Sequence, residues 1–176
     1  MKMIKFVTMA ATLILSGSLL ADKTTGQTID DSVIQSEVKA KLVGNDFWGG
    51  MSANIEIRKG VVQLGGYVDD ISEAAKATKI AASVEGVVEV DNQLHEKSGD
   101  RSMGQSVDDG ITTTRVKGAI GDADLGAGFK INVDTYAGVV LLTGFVDTQE
   151  DKDQAGKLAS EVKHVQKVIN GVYVLD

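Results

Sequence analysis

The sequence predicts an α+β protein built from two tandem copies of one α-β-β-α-β unit. Two observations carry that expectation. The first is an internal repeat. Gly60-Val61-Val62-Gln63-Leu64-Gly65-Gly66-Tyr67-Val68-Asp69 matches Gly138-Val139-Val140-Leu141-Leu142-Thr143-Gly144-Phe145-Val146-Asp147, an offset of 138 − 60 = 78. The same offset pairs Asp30 with Asp108, Asp31 with Asp109, Val38 with Val116, Ala77 with Ala155, Val84 with Val162 and Asn92 with Asn170. One register held over so much chain marks duplication of a supersecondary unit, and two copies are too few for a solenoid. The second observation is the alternation, within each copy, of helical apolar spacing with short β-branched runs bounded by Gly.

The elements follow in order. A helix is expected over about Asp30 to Val43, and again over Asp108 to Ile120. Thr28 with Asp31, and Ser106 with Asp109, stand at capping-box spacing before it. Val33, Val38 and Leu42, matched by Ile111, Val116 and Ile120, form its apolar stripe. A Gly-bearing loop leads to a short strand, Ser52 to Arg58 or Lys130 to Tyr136. Lys59-Gly60 and Ala137-Gly138 are turn positions where Gly supplies positive φ. The second strand, Val61 to Val68 or Val139 to Val146, holds Gly66 or Gly144, which predicts a bulge or close backbone packing. The next helix has Asp70 with Glu73, or Thr148 with Asp151, at its start. Its face is small: Ala74, Ala77, Ala81 and Val84, or Ala155, Leu158, Ala159 and Val162. A last strand covers Val87 to Leu94 or Val165 to Leu175, with Val88, Val90, Asn92 and Leu94 expected on one face.

Residues 1–21 read as an export signal. Lys2 and Lys5 precede the apolar run Phe6 to Leu15, which is shorter than a bilayer span, and Ala21 is a small residue at the cleavage position. Residues 26–95 form the first repeat, 96–103 a polar linker, and 104–176 the second. Each repeat is marginal alone, so a monomer with the two repeats packed together is expected. With no Cys there are no disulfides, thiol nucleophiles or Cys-bound metals. Without Lys2 and Lys5 the charge is 16 − 25 = −9, which disfavours nucleic acid as a partner.

The residues offer no pattern for catalysis or metal binding, so no enzyme activity, cofactor or metal is expected. His95 and His164 are unduplicated, since they face Tyr173 and Gly86 at the repeat offset, and read as surface or capping residues. Asp122-Ala123-Asp124 is spaced like the start of a calcium loop, but the twelfth position is Val133, where Glu is required. The pairs Asp30-Asp31, Asp69-Asp70 and Asp108-Asp109 fall at expected helix starts, where carboxylates satisfy free N–H groups.

The string Gly-Val-Val-x-Leu-x-Gly-x-Val-Asp, the Ala-rich helix, Val84-Glu85-Gly86-Val87 and Asn92 together resemble the BON domain, in two copies that cover nearly all of the chain after the signal. The resemblance implies a small three-stranded mixed sheet in each copy, with two helices covering one face. Signal peptide plus tandem BON domains implies a periplasmic, osmotic-stress protein of the Gram-negative envelope. It also implies contact with phospholipid surfaces or chaperone-like help to outer-membrane protein clients. A structural adaptor that binds a protein partner or peptidoglycan is the alternative. His164 departs from the pattern, standing where the first copy has Gly86.

The loop after the first helix is not duplicated: Phe47-Trp48-Gly49-Gly50 faces Leu125-Gly126-Ala127-Gly128. Two readings of Phe47 and Trp48 stand open. Their rings either plug the core or form an exposed tip that dips into lipid, with Lys39, Lys41, Arg58 and Lys59 as flanking charges. Leu125 and Phe129 would be the weaker counterpart in the second copy.

Overall fold

The computed structural model describes residues 29–44, 52–99, 101–123, 125 and 130–175. The expected signal segment and Phe47, Trp48 and Phe129 lie outside the described residues. The first repeat runs α1 (Asp31–Gly44), β1 (Ser52–Arg58), β2 (Val61–Val68), α2 (Ser72–Ala82) and β3 (Glu89–Glu96). The second runs α3 (Met103–Gly121), β4 (Ile131–Tyr136), β5 (Val139–Val146), α4 (Gln149–Ser160), β6 (Lys167–Asn170) and β7 (Tyr173–Val174). In each sheet the middle strand pairs antiparallel with the strand before it. It pairs parallel with the strand that returns after a helix. This is the mixed α-β-β-α-β unit expected from the sequence.

The hairpin turns explain two of the repeated features. Lys59 and Gly60 both have positive φ, at 49° and 76°, and Ala137 and Gly138 repeat those values. Such a two-residue turn matches the twist of its strands but points its N–H groups away from the ladder. Asp31 accepts both of them, from Lys59 and Gly60 at 2.9 Å each. Asp109 accepts those of Ala137 and Gly138, also at 2.9 Å each. These carboxylates clasp the hairpin to the first helix of the repeat, rather than acting as the helix-start caps expected from spacing. Asp30 Oδ1 takes the capping role, accepting from Ser32 N at 2.8 Å.

Between helices and sheet, Ile34, Val38, Leu42, Val62, Leu64, Ala77 and Ala81 form the first core. Val116, Ile120, Val140, Leu142, Ala155 and Ala159 form the second. The stripe of the first helix differs by one residue from expectation. Ile34 is 1% exposed whereas Val33 is 54% exposed, and Thr112 is buried in place of Ile111. The inward set is spaced i, i+4, i+8, which keeps one face, while Val33 sits about 100° away. Val88 also lies outside, before β3 begins. Asn92 donates to Ala74 O and Thr78 Oγ1 at 2.8 and 2.7 Å, and Asn170 donates to Lys152 O at 2.7 Å. The repeated asparagine therefore ties the second helix of each repeat to the last strand.

The second repeat departs from expectation in three places. Helix α3 starts at Met103, so it takes the end of the expected linker. Its capping box is Ser102 with Gln105, not Ser106 with Asp109. The last strand is split at Gly171-Val172. His164 adopts φ 76°, the left-handed conformation that Gly86 adopts at 89°, so the turn survives the substitution with a strained residue.

The helix-free faces of the two sheets pack against each other. Gly65 has no room for a Cβ because Thr143, its repeat counterpart, would lie 2.6 Å from it; Gly171 stands in the same relation to Gln93. Asn54 donates to Asp134 Oδ2 at 2.7 Å, and Asn132 donates to Glu56 Oε1 at 3.1 Å. The repeat offset exchanges these two pairs, because 54 + 78 = 132 and 56 + 78 = 134. The contact is therefore an internal pseudo-twofold. Gln63, 1% exposed, breaks the symmetry. It donates to Gly171 O and Asp91 Oδ2 at 2.8 and 2.7 Å, and its Oε1 accepts from Gly144 N.

Two stability outcomes are expected in urea titrations. His164→Gly removes the left-handed strain and raises unfolding free energy by about 1 kcal/mol. Gln63→Leu leaves the Gly171 carbonyl and the Gly144 N–H buried without partners and lowers it by about 3 kcal/mol. Unchanged midpoints for both variants would contradict these roles.

Candidate functional site

Two surface features have the chemistry to contact a partner. The first is the N-terminal half of α3. Its buried face is Asp109, Thr112, Val116 and Ile120. On the opposite face Met103, Val107 and Ile111 are 89%, 62% and 44% exposed. Their i, i+4, i+8 spacing aligns them in one stripe. At about 100° per residue, Gly110, Thr114 and Gly118 fall within that stripe, and Arg115 and Lys117 fall on its two borders. The early start of α3, fixed by the Ser102 capping box, exposes Met103 and Val107.

The second feature is a pair of clefts at the two ends of the sheet–sheet contact. The larger, about 400 Å³, is lined by Tyr67, Lys97, Gly99, Arg101, Asp134, Thr135 and Tyr136. The smaller, about 170 Å³, is lined by Glu56, Ile57, Arg58, Lys130 and Phe145. They are related by the same offset, with Tyr67 opposite Phe145 and Asp134 opposite Glu56. In the larger cleft the Tyr67 and Tyr136 rings lie 5.5 Å apart. Arg101 sits 5.0 Å over Tyr136 and pairs with Asp109 at 3.0 Å. Tyr67 donates to Val139 O at 3.1 Å. Burial foremost, with the Asp134 and Asp109 charges, pushes the Tyr67 hydroxyl up to about 12. Burial also raises Asp134 above the ordinary carboxylate value, against the opposing pull of Lys117 and of the Asn54 hydrogen bond.

His95 stands half-buried beside this interface. Its ring lies 6.5 Å from Tyr67, and Nε2 is buried without a hydrogen-bond partner. Burial, then the Lys167 charge, lowers its pKa, so the neutral ring is favoured. Among the described residues no three His, Asp or Glu side chains are grouped to hold a metal.

The residues singled out from the sequence fall in different places. Lys39 and Lys59 are exposed, while Lys41 is half-buried and reaches Ser83 O at 3.2 Å. Arg58 lines the smaller cleft. Leu125 is 5% exposed and belongs to the second core, which corrects its expected role as a contact tip. Gly60, Gly66, Gly138 and Gly144 all take positive φ, and a Cβ on Gly144 would overlap Lys130 O. Sequence reasoning missed the α3 stripe. The signal was present in Met103, Val107 and Ile111, but Met103 was assigned to the linker and Ile111 to the core.

Tyrosine titration provides a direct check. Tyr67 should ionise at about 12 in ultraviolet absorbance against pH. The fold keeps this proton where the unfolded chain releases it near 10, so its contribution to stability is lost as pH rises from 10 towards 12. A Tyr67 transition near 10 would show that the ring is solvated.

The chain is similar in sequence to several known proteins. The chain is 34% identical over 146 residues to osmotically-inducible protein Y of Escherichia coli, covering 82% of this chain and 73% of that protein. It is 32% identical over 160 residues to the outer membrane lipoprotein DolP of Haemophilus influenzae, covering 88% and 79%. Among solved structures, the C-terminal domain of CdsD, a structural protein of the type III secretion system of Chlamydia trachomatis, matches with TM-score 0.33 at 18% identity, covering 84% of this chain and 68% of that one. Residues 30–98 and 108–176 each match the BON domain, and the chain belongs to that family as a tandem pair.

Proposed function

We infer that this protein is a non-enzymatic component of the Gram-negative envelope that docks on phospholipid surfaces through the N-terminal half of α3. The carrying observation is the exposed Met103–Val107–Ile111 stripe on the side of α3 that faces away from the core. An interfacial helix needs such a narrow apolar face with cations at its borders, and Arg115 and Lys117 stand on those borders roughly one to two turns beyond Ile111. Those cations favour anionic headgroups despite the acidic chain, because the attraction is local at physiological salt. Among the described residues no helix is long and apolar enough to cross a membrane. The names of the Escherichia coli and Haemophilus influenzae relatives, one osmotically inducible and one an outer membrane lipoprotein, support a role in the envelope under osmotic stress. The same stripe suits an apolar segment of an outer-membrane protein client, which makes chaperone-like assistance the second reading. The Phe47-Trp48 loop is the competing lipid contact.

Co-sedimentation with phosphatidylglycerol vesicles tests the assignment. Ile111→Asp and Val107→Asp should each weaken binding at least about tenfold, the scale expected when one aliphatic side chain is no longer buried. Trp48→Ala should leave it within about twofold. The reverse pattern moves the contact to the loop. No vesicle binding by the unaltered chain, together with suppression of client aggregation, favours the chaperone reading.

A further inference from the structure

We propose that the larger cleft, beneath the segment joining the two repeats, binds a small zwitterion with one anionic and one ammonium group. The two clefts are related by the repeat offset, but their charged groups are not duplicated. At the smaller end Glu56 Oε1 is already bonded by Lys130 and Asn132, at 2.8 and 3.1 Å, so its charge is neutralised in place. At the larger end Asp134 Oδ2 receives Asn54, the Lys117 charge acts on it without a hydrogen bond, and among the described residues Oδ1 has no hydrogen-bond partner. Lys97 and Arg101 enter only here, because the chain crosses between repeats only once.

Each cation is oriented by a carboxylate, with donors left over. Lys97 pairs with Asp69 at 2.8 Å through one bond of its three-donor ammonium. Arg101 gives Asp109 one bond from Nη1, out of five guanidinium donors. Both charge signs therefore face one cavity, with cations on the linker wall and a half-buried carboxylate on β4. An anion alone would meet Asp134, and a cation alone would meet Lys97 and Arg101. A molecule carrying both charges satisfies each wall, and this charge complementarity sets its class. The Tyr67 and Tyr136 rings supply an apolar wall for the few carbons between the charges. The volume, about 400 Å³, lies near the lower end for ligand sites and suits a molecule the size of an amino acid or dipeptide. That chemistry has two sources, an amino-acid-type solute or the headgroup of a zwitterionic lipid.

Proton NMR of the full chain, following the Tyr67 and Tyr136 rings, tests the proposal. Glycylglycine and phosphoethanolamine represent the two sources, and acetate and methylammonium carry the single charges. At least one zwitterion should shift both rings in a saturable way, about tenfold or more tighter than either single-charge probe. The tighter of the two identifies the source. Asp134→Asn and Arg101→Gln should each weaken it about tenfold. Lys97→Met, which releases only the exposed Asp69, repeats the test if Arg101→Gln loses its fold. No ring shift with either zwitterion, equal binding of acetate or methylammonium, or unchanged affinity in the folded variants would overturn the assignment. The vesicle experiment reads α3 alone, so either result stands without the other.

Discussion

A three-stranded sheet with both helices on one face has a second face that must also be covered. In the first repeat, β2 is buried along its whole length, although only Val62, Leu64 and Val68 point into the helix-side core. In the second, Leu141 and Phe145 are buried outside the helix-side cluster. Each sheet covers the other, and the pseudo-twofold contact follows from that need. Gly65 against Thr143 sets how closely the sheets approach. The reciprocal amide–carboxylate pairs, Asn54 with Asp134 and Asn132 with Glu56, set their register. Gln63 then satisfies buried backbone groups of the other repeat that would otherwise lack partners.

Duplication followed by local divergence organises the possible functions. The clasp of Asp31 or Asp109 on its hairpin turn, and the tie of Asn92 or Asn170 to its helix, recur with nearly the same distances. These interactions build the scaffold and leave little freedom for change. Divergence collects where the second repeat meets the connecting segment. There α3 gains an extra turn with an apolar outer face, and the adjoining cleft gains Lys97 and Arg101. Arg101 belongs to both features, since it pairs with Asp109 on α3 and lies over Tyr136 in the cleft. The surface helix and the cleft are thus neighbours fixed by one side chain.

Much of the fold was legible in residue order. The positive-φ glycines, the order of elements and the Ala-rich faces of α2 and α4 follow from local rules of turn conformation and periodicity. Helix faces were read less well. Val33 and Ile34 are equally apolar neighbours, and only the direction of the sheet decides which one turns inward. Leu125 and Ile111 show the same limit in opposite senses. One was expected outside and is buried, and the other was expected inside and is exposed.

The sequence by itself determined the repeat, its register and the chemistry of its turns, because these depend on residues close together in the chain. Only the tertiary structure decided what Asp31 and Asp109 do, since their partners lie 28 and 29 positions away. It alone brought Tyr67, Arg101 and Asp134 to one cleft, because three separate elements meet there once the sheets pack face to face. Hydrophobic periodicity records that a residue is buried, but not against what; the partner surface is chosen by packing between segments that share no local pattern.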